Sequence, residues 1–505
     1  MDELMRSFHS VSDSNPIRLN NNTLIDLPDN IKTPTYDRSK LEAGIVHIGV
    51  GNFHRAHLSW YIHQLLERGL DQNWGIIGAS VRPQDTEMRE KLLAQDFLST
   101  LIELDPEGNN HAEIVGSMID YVPINSDNNA LIQIMADPKI KIISMTITEG
   151  GYYQDSVSKQ LDASHPDIRH DIQNPDKPKT VFGAMVAALN IRHRNGYGPF
   201  TGLCCDNLQG NGAVLANSVL SLARLRDAKL AEWIEENCSF PNSMVDCIVP
   251  ATGTSEKELA LSLGIDDEIP VTHENFRQWV IEDNFCAGRP KLELVGALFS
   301  NRVHQHETQK IRVLNGGHQI LANSAEILGI SKIHEAITNP IIAPFFEKVV
   351  EEEILPHIEE LPDLSKSKYL DLIKNRFANP SVLDTVRRVA FDGSSRHPGF
   401  IIPSIIDGLN YKKSINGLAL VEAAWARMCE GTREDGTKIS PNDPSWSVLN
   451  KAAKEAKHKP EKWLELNNIY GGISENKIFA SAFEKWLTRI YQHGIEQTIN
   501  MYLSE

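Results

Sequence analysis

The feature that most constrains the fold is a short apolar segment that ends in a glycine-rich turn. Residues 44–49 read Gly-Ile-Val-His-Ile-Gly, which is typical of a buried strand, and Gly51 follows two positions later. An amphipathic helix is predicted over 54–69 and a second strand over 74–81. A strand, a helix and a strand within about 40 residues form a βαβ unit, because parallel strands need a crossover connection. The sequence therefore predicts a parallel sheet near the start of the chain.

The pattern changes along the chain and predicts two domains after a polar arm. Apolar runs at 140–147 and 200–205 extend the sheet, and each ends in a polar or glycine-rich turn. Helices are predicted over 212–228 and 228–238. Long amphipathic segments then replace the strands, and these are 305–329, 339–354, 417–430 and 478–503. The predicted class is α/β, with an N-terminal arm (1–43), an α/β sheet domain (44–295) and a mainly α-helical domain (296–505).

Charge and cysteine usage exclude several classes of protein. The net charge of −17 argues against broad nucleic-acid binding, which depends on Lys and Arg contacts to phosphate, and against an anionic membrane surface. No apolar run approaches the roughly 20 residues of a transmembrane helix, and the N-terminus has no apolar core of a secretory signal. The six cysteines have no metal-ligand spacing, which favours free thiols. We therefore expect a soluble cytoplasmic protein without a bound metal.

The turn after the first strand has the features of a dinucleotide-binding site. Gly49 permits a tight turn, and Gly51 lets the backbone approach a pyrophosphate at the N-terminus of the following helix. The third position of the usual fingerprint holds His54 in place of Gly or Ala. An ordinary strand-to-helix turn is the alternative. The candidate cofactor-binding residues here are Ile48, Gly49, Val50, Gly51, Asn52, Phe53, His54 and Arg55.

Two residues after the second strand are candidates for recognising the adenosine ribose. Asp85 is the nearest acid and would bind the ribose hydroxyls, which favours NAD. Arg82 stands closer to the strand and would instead meet a 2′-phosphate or stack on adenine. NAD is therefore the predicted cofactor and NADP the alternative, while a solvated loop is the ordinary role of both side chains. Glu149 is a further cofactor-binding candidate, because its turn follows the 140–147 strand.

A second group of polar residues lies far downstream on a predicted helix. At 100° per residue, Asn315 lies about 140° and His318 about 80° from Lys310, so all three project from one side. A base, an amide donor and an imidazole that converge on one point are what reversible hydride transfer at an alcohol carbon requires. Each residue alone has a more ordinary role, as a surface lysine, a turn asparagine or a core histidine.

Two adjacent glycines, Gly316 and Gly317, stand inside the same predicted helix. Each glycine inside a helix costs roughly 1 kcal/mol relative to alanine, so a compensating reason is needed. We expect the close approach of a cofactor or substrate to be that reason.

Polar residues elsewhere are candidates for contacts with a substrate. Asn207 follows the 200–205 strand at the carboxyl edge of the sheet, where it could donate to a substrate oxygen or simply bond its own turn. Asp246 follows a polar turn, and a helix cap or a surface ion pair is its ordinary role. Arg388 and Arg396 could bond the hydroxyls of a polyol, with surface charge as the alternative.

Several stretches together carry a family resemblance that covers almost all of residues 44–410. They are IVHIGVGNFHRAH (45–57), TEGGY (148–152), CDN (205–207), FPNSMVD (240–246), RFANP (376–380) and the Lys-x4-Asn-x2-His pattern that begins at Lys310. The chain resembles the polyol-specific long-chain dehydrogenases, and most closely their mannitol 2-dehydrogenase branch. The resemblance implies a Rossmann-like N-terminal domain, a mainly α-helical C-terminal domain, an active site between them and no catalytic metal.

The resemblance also implies roles for the candidate residues. Lys310 would be the general base, and Glu307 would relay protons between that lysine and solvent. Asn207 and Asn315 would form the oxyanion hole, and His318 would orient the substrate. The residues that would hold other hydroxyls are Asp246, Arg388 and Arg396, the last standing where the family often has Lys.

The reaction that the resemblance implies is the NAD-dependent interconversion of D-mannitol and D-fructose by a monomeric enzyme. Other members of the family act on arabinitol or on the uronates fructuronate and tagaturonate, and these substrates stay open as alternatives. A uronate enzyme needs a cationic site for the substrate carboxylate, and the sequence alone does not locate one.

Overall fold

The computed structural model describes residues 15–155, 160–362 and 364–505. The chain forms two compact units, and the division between them falls between His304 and Gln305. That division lies somewhat further along the chain than residue 295, where the sequence analysis puts it. Each unit has a hydrophobic core of its own.

The strands of the described residues all lie in the N-terminal unit. They are β1 (Ile17–Arg18), β2 (Ala43–Ile48), β3 (Gly75–Ala79), β4 (Ser99–Leu104), β5 (His111–Val115), β6 (Met118–Tyr121), β7 (Ile142–Met145), β8 (Thr201–Cys204), β9 (Ser243–Asp246), β10 (Ile265–Asp266), β11 (Val271–Glu274), β12 (Gln278–Ile281) and β13 (Leu298–Phe299). This distribution agrees with the predicted change from strands to helices near residue 300.

The largest sheet confirms the predicted parallel α/β fold. Its five strands are all parallel and run in the order β6-β3-β2-β7-β8, so the first of them along the chain lies at the centre. Counted along the chain this is the 3-2-1-4-5 order of a Rossmann-type domain. β2, β3 and β7 are almost entirely buried, which explains why their sequences are continuous apolar runs.

The register of this sheet brings three turns to one edge. Ile48, the last residue of β2, pairs with Met145 of β7, and Met145 pairs with Cys204 of β8. Because the three strands are parallel and end in register, the turns that follow them leave the sheet side by side. Ligands bind at this carboxyl edge in open α/β sheets.

Three smaller sheets were not predicted from the sequence. β4 pairs with β5 and β11, β12 pairs with β9 and β13, and β1 of the predicted N-terminal arm pairs with β10. Their strands are two to six residues long and many mix polar with apolar residues, so no periodic pattern separates them from loops.

The α-helices of the N-terminal unit cover both predicted and unpredicted segments. The helix predicted over 54–69 is in fact two helices that meet at His57, where the backbone leaves the helical region (φ −118°, ψ −92°). His57 Nε2 lies 3.0 Å from the carbonyl oxygen of Gln278, which anchors the break to β12. The helices are α1 (Asn52–Ala56), α2 (Leu58–Glu67), α3 (Thr86–Ala94), α4 (Asn129–Ala136), α5 (Pro166–Gln173), α6 (Val181–Arg194), α7 (Asn211–Arg226), α8 (Ala228–Asn237) and α9 (Thr254–Ser262).

The α-helices of the remaining chain begin at the division between the units. They are α10 (Val303–Gln309), α11 (Gly316–Ile327), α12 (Ile333–Thr338), α13 (Ile342–Val349), α14 (Lys366–Phe377), α15 (Val386–Val389), α16 (Gly393–Phe400), α17 (Ile402–Asn410), α18 (Asn416–Cys429), α19 (Trp446–Ala456), α20 (Glu461–Leu464), α21 (Asn467–Tyr470), α22 (Lys477–His493) and α23 (Ile495–Ser504). α18 is buried along nearly its whole length and forms the centre of the C-terminal core. No helix of the described residues is long and apolar enough to cross a membrane.

Shorter helical turns of other types complete the chain. The 3-10 helices are Leu24–Asp26, Arg38–Lys40, Pro83–Asp85, Glu149–Tyr152, Leu292–Val295, Leu355–His357 and Gly471–Glu475. Two π-helical turns, Lys310–Asn315 and Val350–Ile354, interrupt or end segments that the sequence predicts as continuous α-helices. The segment predicted over 478–503 is also divided, at Gly494, where φ is +81°.

The two glycines after β2 have different physical reasons for being there. Gly49 has φ +93°, and a Cβ at this position would lie 2.1 Å from the carbonyl oxygen of Thr146. Gly51 has ordinary extended dihedrals, and a Cβ there would meet nothing within 4 Å. Gly49 is therefore required by the fold, whereas Gly51 leaves open space beside the turn.

We predict that Gly49→Ala destabilises this part of the sheet by about 3 kcal/mol or more, because it adds both backbone strain and a steric clash. Gly51→Ala is the matched control and should change the local stability by less than about 1 kcal/mol. Native-state hydrogen exchange of the β2 and α1 amides measures both changes. Equal effects of the two substitutions would contradict this interpretation of the turn.

Candidate active site

The glycine turn after β2 is tied to β7 and its following turn by a buried hydrogen-bond network. Thr146 Oγ1 donates to the carbonyl oxygen of Gly49 at 2.7 Å and also lies 3.1 Å from His47 Nε2. The Thr146 hydroxyl has a single proton, and it donates this proton to the Gly49 carbonyl. The hydrogen bond between Thr146 and His47 therefore needs the proton of His47, which must lie on Nε2. His47 Nδ1 then accepts from Ser144 Oγ at 2.8 Å. Burial lowers the pKa of His47 to about 3, so this anchoring imidazole is neutral.

His54 accounts for the departure from the usual glycine fingerprint. Its ring stacks on the ring of His47 with the centroids 3.5 Å apart, so an imidazole fills the space between α1 and β2. Neither ring nitrogen of His54 has a hydrogen-bond partner among the described residues. Burial holds the pKa of His54 well below its ordinary value. Its side chain therefore shapes the turn from inside and is not exposed towards a ligand.

The other side chains of the turn are also used within the N-terminal unit. Asn52 Nδ2 donates to the carbonyl oxygen of Pro250 at 2.9 Å, and Asn52 Oδ1 accepts from the fully buried Arg55 at 2.8 Å. The open side of Gly51 and the adjoining backbone remain as the surface for a ligand. The apolar residues of the turn, which pack into the core fully or in part, are Ile48, Val50 and Phe53.

Arg82 and Asp85 bond each other just after β3. Arg82 Nε lies 3.0 Å from Asp85 Oδ2 and Nη2 lies 2.9 Å from Oδ1, while Ser80 Oγ donates to Oδ2 at 2.5 Å. The structure thus brings the two predicted ribose contacts together as one exposed ion pair. A carboxylate accepts about four hydrogen bonds, so Asp85 keeps about one acceptor position for a ribose hydroxyl.

Asp206 joins the turns that follow β7 and β8. Its carboxylate accepts from the backbone N–H groups of Ile147 (3.0 Å) and Thr148 (2.9 Å) and from the Tyr152 hydroxyl (2.6 Å). Thr148 has φ +64°, which costs a residue other than glycine about 1–3 kcal/mol, and these bonds hold it there. The next residue, Asn207, is exposed and directly follows the buried Asp206 in this turn.

Two further candidates, Glu149 and Asp246, lie in the N-terminal unit. Glu149 begins the 3-10 helix that ends at Tyr152, and its side chain lies outside the described residues. Asp246 is the last residue of β9 and is buried, exposing 3% of its surface. A helix cap or a surface ion pair is therefore not the role of Asp246, because a buried carboxylate within a strand needs donors in the interior.

The helix that carries Lys310 and Asn315 changes its hydrogen-bond register between them. Their segment is a π-helical turn, and the N–H of Gly316 donates to the carbonyl of Ile311, five residues earlier. In an α-helix, residues four apart are separated by slightly more than one turn and differ by about 40° around the helix axis. In a π-helix, residues five apart take the same relation, because the hydrogen bond spans five residues. The 140° predicted for Asn315 was therefore wrong. Both residues, and His318 three α-helical positions later, lie within a narrower sector than a regular helix would give.

Lys310 and Glu307 are both buried, and each exposes 7% of its surface. This burial excludes the ordinary role of Lys310 as a solvated surface residue. Glu307 lies three residues earlier, in α10, which separates the two side chains by about 60° around the helix axis. A buried ammonium and a buried carboxylate both require polar partners in the interior, so neither is incidental to its surroundings.

Packing within the C-terminal unit accounts for the two adjacent glycines. A Cβ on Gly317 would meet two phenylalanine rings at 2.9 and 3.4 Å, the second of which belongs to Phe377. A Cβ on Gly316 would lie 3.2 Å from the carbonyl oxygen of Phe400. The expectation that a cofactor or substrate explains these glycines was therefore wrong. Phe377 also stacks on the imidazole of His318, with the centroids 4.3 Å apart, and so fixes that ring.

Polar atoms of two candidate residues on this segment are unpaired. Asn315 Oδ1 and His318 Nε2 are buried and have no hydrogen-bond partner among the described residues. Burial lowers the pKa of His318 to about 4, so its imidazole is neutral near pH 7. A buried polar atom without a partner costs about 1–3 kcal/mol. A hydroxylated ligand would supply the missing partners.

The two arginine candidates lie together in the C-terminal unit. Arg388 forms a bidentate ion pair with the buried Asp384, with Nε 2.6 Å from Oδ1 and Nη2 2.5 Å from Oδ2. Arg396 Nη1 donates to the carbonyl oxygen of Val389 at 2.5 Å. Both arginines border an open cavity of about 470 Å³, which is lined by Arg387, Arg388, Phe391, Arg396, Pro441 and Asn442.

Sequence reasoning missed the residues that hold the candidates in place. Asp206 precedes Asn207, Phe377 packs on His318, and Asp384 binds Arg388. Asp206 and Phe377 stand inside the CDN and RFANP stretches that carry the family resemblance. Asp384 stands four residues before Arg388, a spacing typical of an ion pair. These signals were present, but only the fold shows that each supports a neighbour.

A metal site needs several donor side chains close together, and the structure describes residues 15–155, 160–362 and 364–505. No group of three or more His, Cys, Asp or Glu in these ranges could hold a metal ion. All six cysteines are free, and Cys204 and Cys205 are buried.

Comparison with known proteins gives the family. Residues 43–294 match the mannitol dehydrogenase Rossmann domain, and residues 302–491 match the mannitol dehydrogenase C-terminal domain. The chain is 49% identical over 474 residues to the mannitol 2-dehydrogenase of Cereibacter sphaeroides, which covers 94% of this chain and 99% of that protein. It is 37% identical over 500 residues to the mannitol 2-dehydrogenase of Aspergillus terreus, with 97% and 99% covered.

Two solved structures have the same fold over nearly their whole length. The ternary complex of Pseudomonas fluorescens mannitol 2-dehydrogenase with NAD and D-mannitol has a TM-score of 0.88 at 35% identity and covers 97% of this chain and 100% of that one. Substrate-free D-sorbitol dehydrogenase has a TM-score of 0.87 at 32% identity and covers 95% and 100%. Both domains of the present protein are therefore accounted for, and the chain belongs to the mannitol dehydrogenase family.

Proposed function

We propose that this protein is an NAD-dependent, metal-independent dehydrogenase that interconverts D-mannitol and D-fructose. The observation that carries the proposal is the segment around the π-helical turn. It combines a buried lysine with an amide and an imidazole whose buried polar atoms lack partners. A ligand hydroxyl would satisfy these atoms while meeting the base. The names of the relatives and the complex of the Pseudomonas fluorescens enzyme with NAD and D-mannitol support the same substrate and cofactor.

The glycine turn fits a dinucleotide. The open side of Gly51 gives room for a pyrophosphate to approach the backbone, and Gly49 forms the tight turn that leads there. Asp85 would accept from the ribose hydroxyls, which favours NAD over NADP. When bound, NAD supplies the acceptor for the hydride that leaves the alcohol carbon.

The side chains of the protein would manage the proton and the developing charge. Lys310 takes the proton of the substrate hydroxyl during oxidation and returns it to the ketose oxygen during reduction, while Glu307 exchanges that proton with solvent. The amides of Asn207 and Asn315 donate to the same oxygen as charge builds on it. His318, neutral and held by Phe377, bonds the substrate and fixes its orientation. The residues proposed to hold the remaining hydroxyls are Asp246, Arg388 and Arg396.

A uronate substrate is the second candidate, and the arginine-lined cavity is the observation that bears on it. Arg387, Arg388 and Arg396 together would attract a carboxylate. Much of this charge is already used, because Asp384 binds Arg388 and Glu326 lies 3.5 Å from Arg387. The compensation favours a neutral polyol over an anionic sugar. We also propose that the protein is monomeric and cytoplasmic, as expected from the sequence.

We predict that Lys310→Ala lowers kcat by at least about a thousandfold, because it removes the general base. The dissociation constant for NADH should stay within about twofold, since the lysine is not proposed to hold the dinucleotide. Stopped-flow turnover and NADH fluorescence titration measure the two effects. Lys413→Ala, which removes an exposed lysine, is the control and should behave as the wild type. Near-normal turnover of Lys310→Ala would sink the assignment.

We predict that prolonged treatment with EDTA leaves the rate of mannitol oxidation unchanged. The reason is that a lysine, rather than a metal-bound water, is proposed to take the hydroxyl proton. The measurement is NADH formation at 340 nm before and after chelation, with metal analysis of the same samples. Loss of activity that Zn²⁺ restores would contradict the proposal.

The substrate itself is tested by comparing kcat/KM across a panel. We expect D-fructose with NADH to be reduced with at least about tenfold higher kcat/KM than fructuronate or tagaturonate, because acidic residues already neutralise much of the arginine charge. NADPH should be the poorer cofactor because Asp85 repels a 2′-phosphate. A preference for either uronate would replace the mannitol assignment with the second candidate.

A further inference from the structure

A chain of buried polar side chains runs through the core of the C-terminal unit, and the roles proposed above do not use it. None of its members exposes more than 3% of its surface. They are Trp463, Tyr470, Glu422, His397, Asn323 and Gln319. Burying so many polar groups is costly unless each is well paired, so the arrangement needs a reason beyond the filling of a core.

The hydrogen bonds on the two sides of Glu422 both lead towards its carboxylate. Trp463 Nε1 donates to the Tyr470 hydroxyl at 2.6 Å, and that hydroxyl donates to Glu422 Oε2 at 2.6 Å. On the other side, Asn323 Nδ2 donates to the backbone carbonyl oxygen of Gln319 at 3.1 Å and lies 3.2 Å from His397 Nε2. His397 Nε2 is therefore an acceptor.

The state of the central histidine follows from these partners. Because Nε2 of His397 accepts, its proton lies on Nδ1, which is 2.8 Å from Glu422 Oε1. The ring also stacks on Trp425 at 3.9 Å. One carboxylate thus fixes the tautomer and the orientation of the imidazole, and through it the position of α16.

The chain ends at the backbone carbonyl of Val389, which also accepts a hydrogen bond from the candidate residue Arg396. Gln319 Nε2 donates to the carbonyl oxygen of Val389 at 2.8 Å, and Arg396 Nη1 donates to the same oxygen at 2.5 Å. Gln319 directly follows His318 on α11, and Val389 directly follows Arg388 on α15. The bonds therefore join the three helices on which His318, Arg388 and Arg396 stand.

We propose that Glu422, His397, Asn323 and Gln319 are positioning residues that set the spacing of the substrate-binding side chains His318, Arg388 and Arg396. The inference rests on the proposed function, because that function assigns the last three residues to the substrate. None of the four touches the reacting atoms. Their effect is on the fit of the polyol hydroxyls, which is a contribution to specificity.

The test compares Glu422→Gln with Glu353→Gln. Glutamine cannot accept from both Tyr470 and His397 as the carboxylate does, so the orientation of His397 is lost. Glu353 is an equally buried carboxylate of the same unit, but it bonds the N-terminus of α18 and is outside the polar chain. It therefore controls for the general cost of changing a buried acid.

We expect Glu422→Gln to raise the KM for D-mannitol about tenfold while kcat stays within about threefold, because hydroxyl contacts away from the reacting carbon bind ground and transition state alike. The dissociation constant for NADH should not change. Hydrogen exchange over residues 386–400 should become faster. Gln319→Met removes only the bond to Val389, and we expect it to raise the KM and to speed the exchange in the same way. This variant replaces Glu422→Gln in the test if Glu422→Gln does not fold.

Two outcomes would overturn the inference. One is that Gln319→Met changes neither the KM nor the exchange over residues 386–400. The other is that Glu353→Gln raises both as much as Glu422→Gln does, which would reduce the effect to lost stability. A wild-type protein that does not oxidise D-mannitol would instead refute the proposed function, and the exchange comparison would still decide this inference.

Discussion

The hydrogen-bond register of one helical segment determines whether the candidate site exists. In a regular α-helix Lys310 and Asn315 would diverge by about 140°, and one side chain would leave the face of the other. The π-helical turn between them reduces that divergence, so the side chains of Lys310 and Asn315 project in similar directions. Such turns are rare in proteins overall, but they occur frequently at functional sites. Gly316 and Gly317 follow the turn and let a backbone carbonyl and two aromatic rings approach the helix.

The N-terminal unit solves the same problem of convergence with a sheet. Parallel strands that end in register bring the turns after β2, β7 and β8 to one edge without any contribution from the turns themselves. Side-chain bonds then fix each turn, through Thr146 on Gly49 and through Asp206 on Thr148. The bonds from Asp206 hold the Thr148 backbone in a strained conformation that the chain alone disfavours, so they stabilise the turn.

The sequence predicts the parts of the molecule that depend on local pattern. Buried parallel strands are continuous apolar runs, so β2, β3, β7 and β8 could be recognised, and so could the change to amphipathic helices. The π turn at Lys310 could not, because a periodic pattern of apolar residues does not distinguish a shift in hydrogen-bond register from a continuous α-helix. The break at His57 could not be recognised either, because Gln278, to which His57 is bonded, is distant in sequence. Candidate site residues were named through their types and the family resemblance, whereas supporting residues such as Asp384 became visible only in the fold.

Unpaired polar atoms indicate a ligand only when their surroundings are weighed. The indole nitrogen of Trp486 also lacks a partner among the described residues, and this side chain belongs to the apolar core of the C-terminal unit. Asn323 Oδ1 is unpaired too, but the other end of that amide makes two bonds within the polar chain. Asn315 Oδ1 and His318 Nε2 differ because they share one helix with a buried lysine and with the register shift that aligns it. Incomplete groups that are aligned by an unusual backbone therefore support the proposed binding of a hydroxylated substrate at this segment.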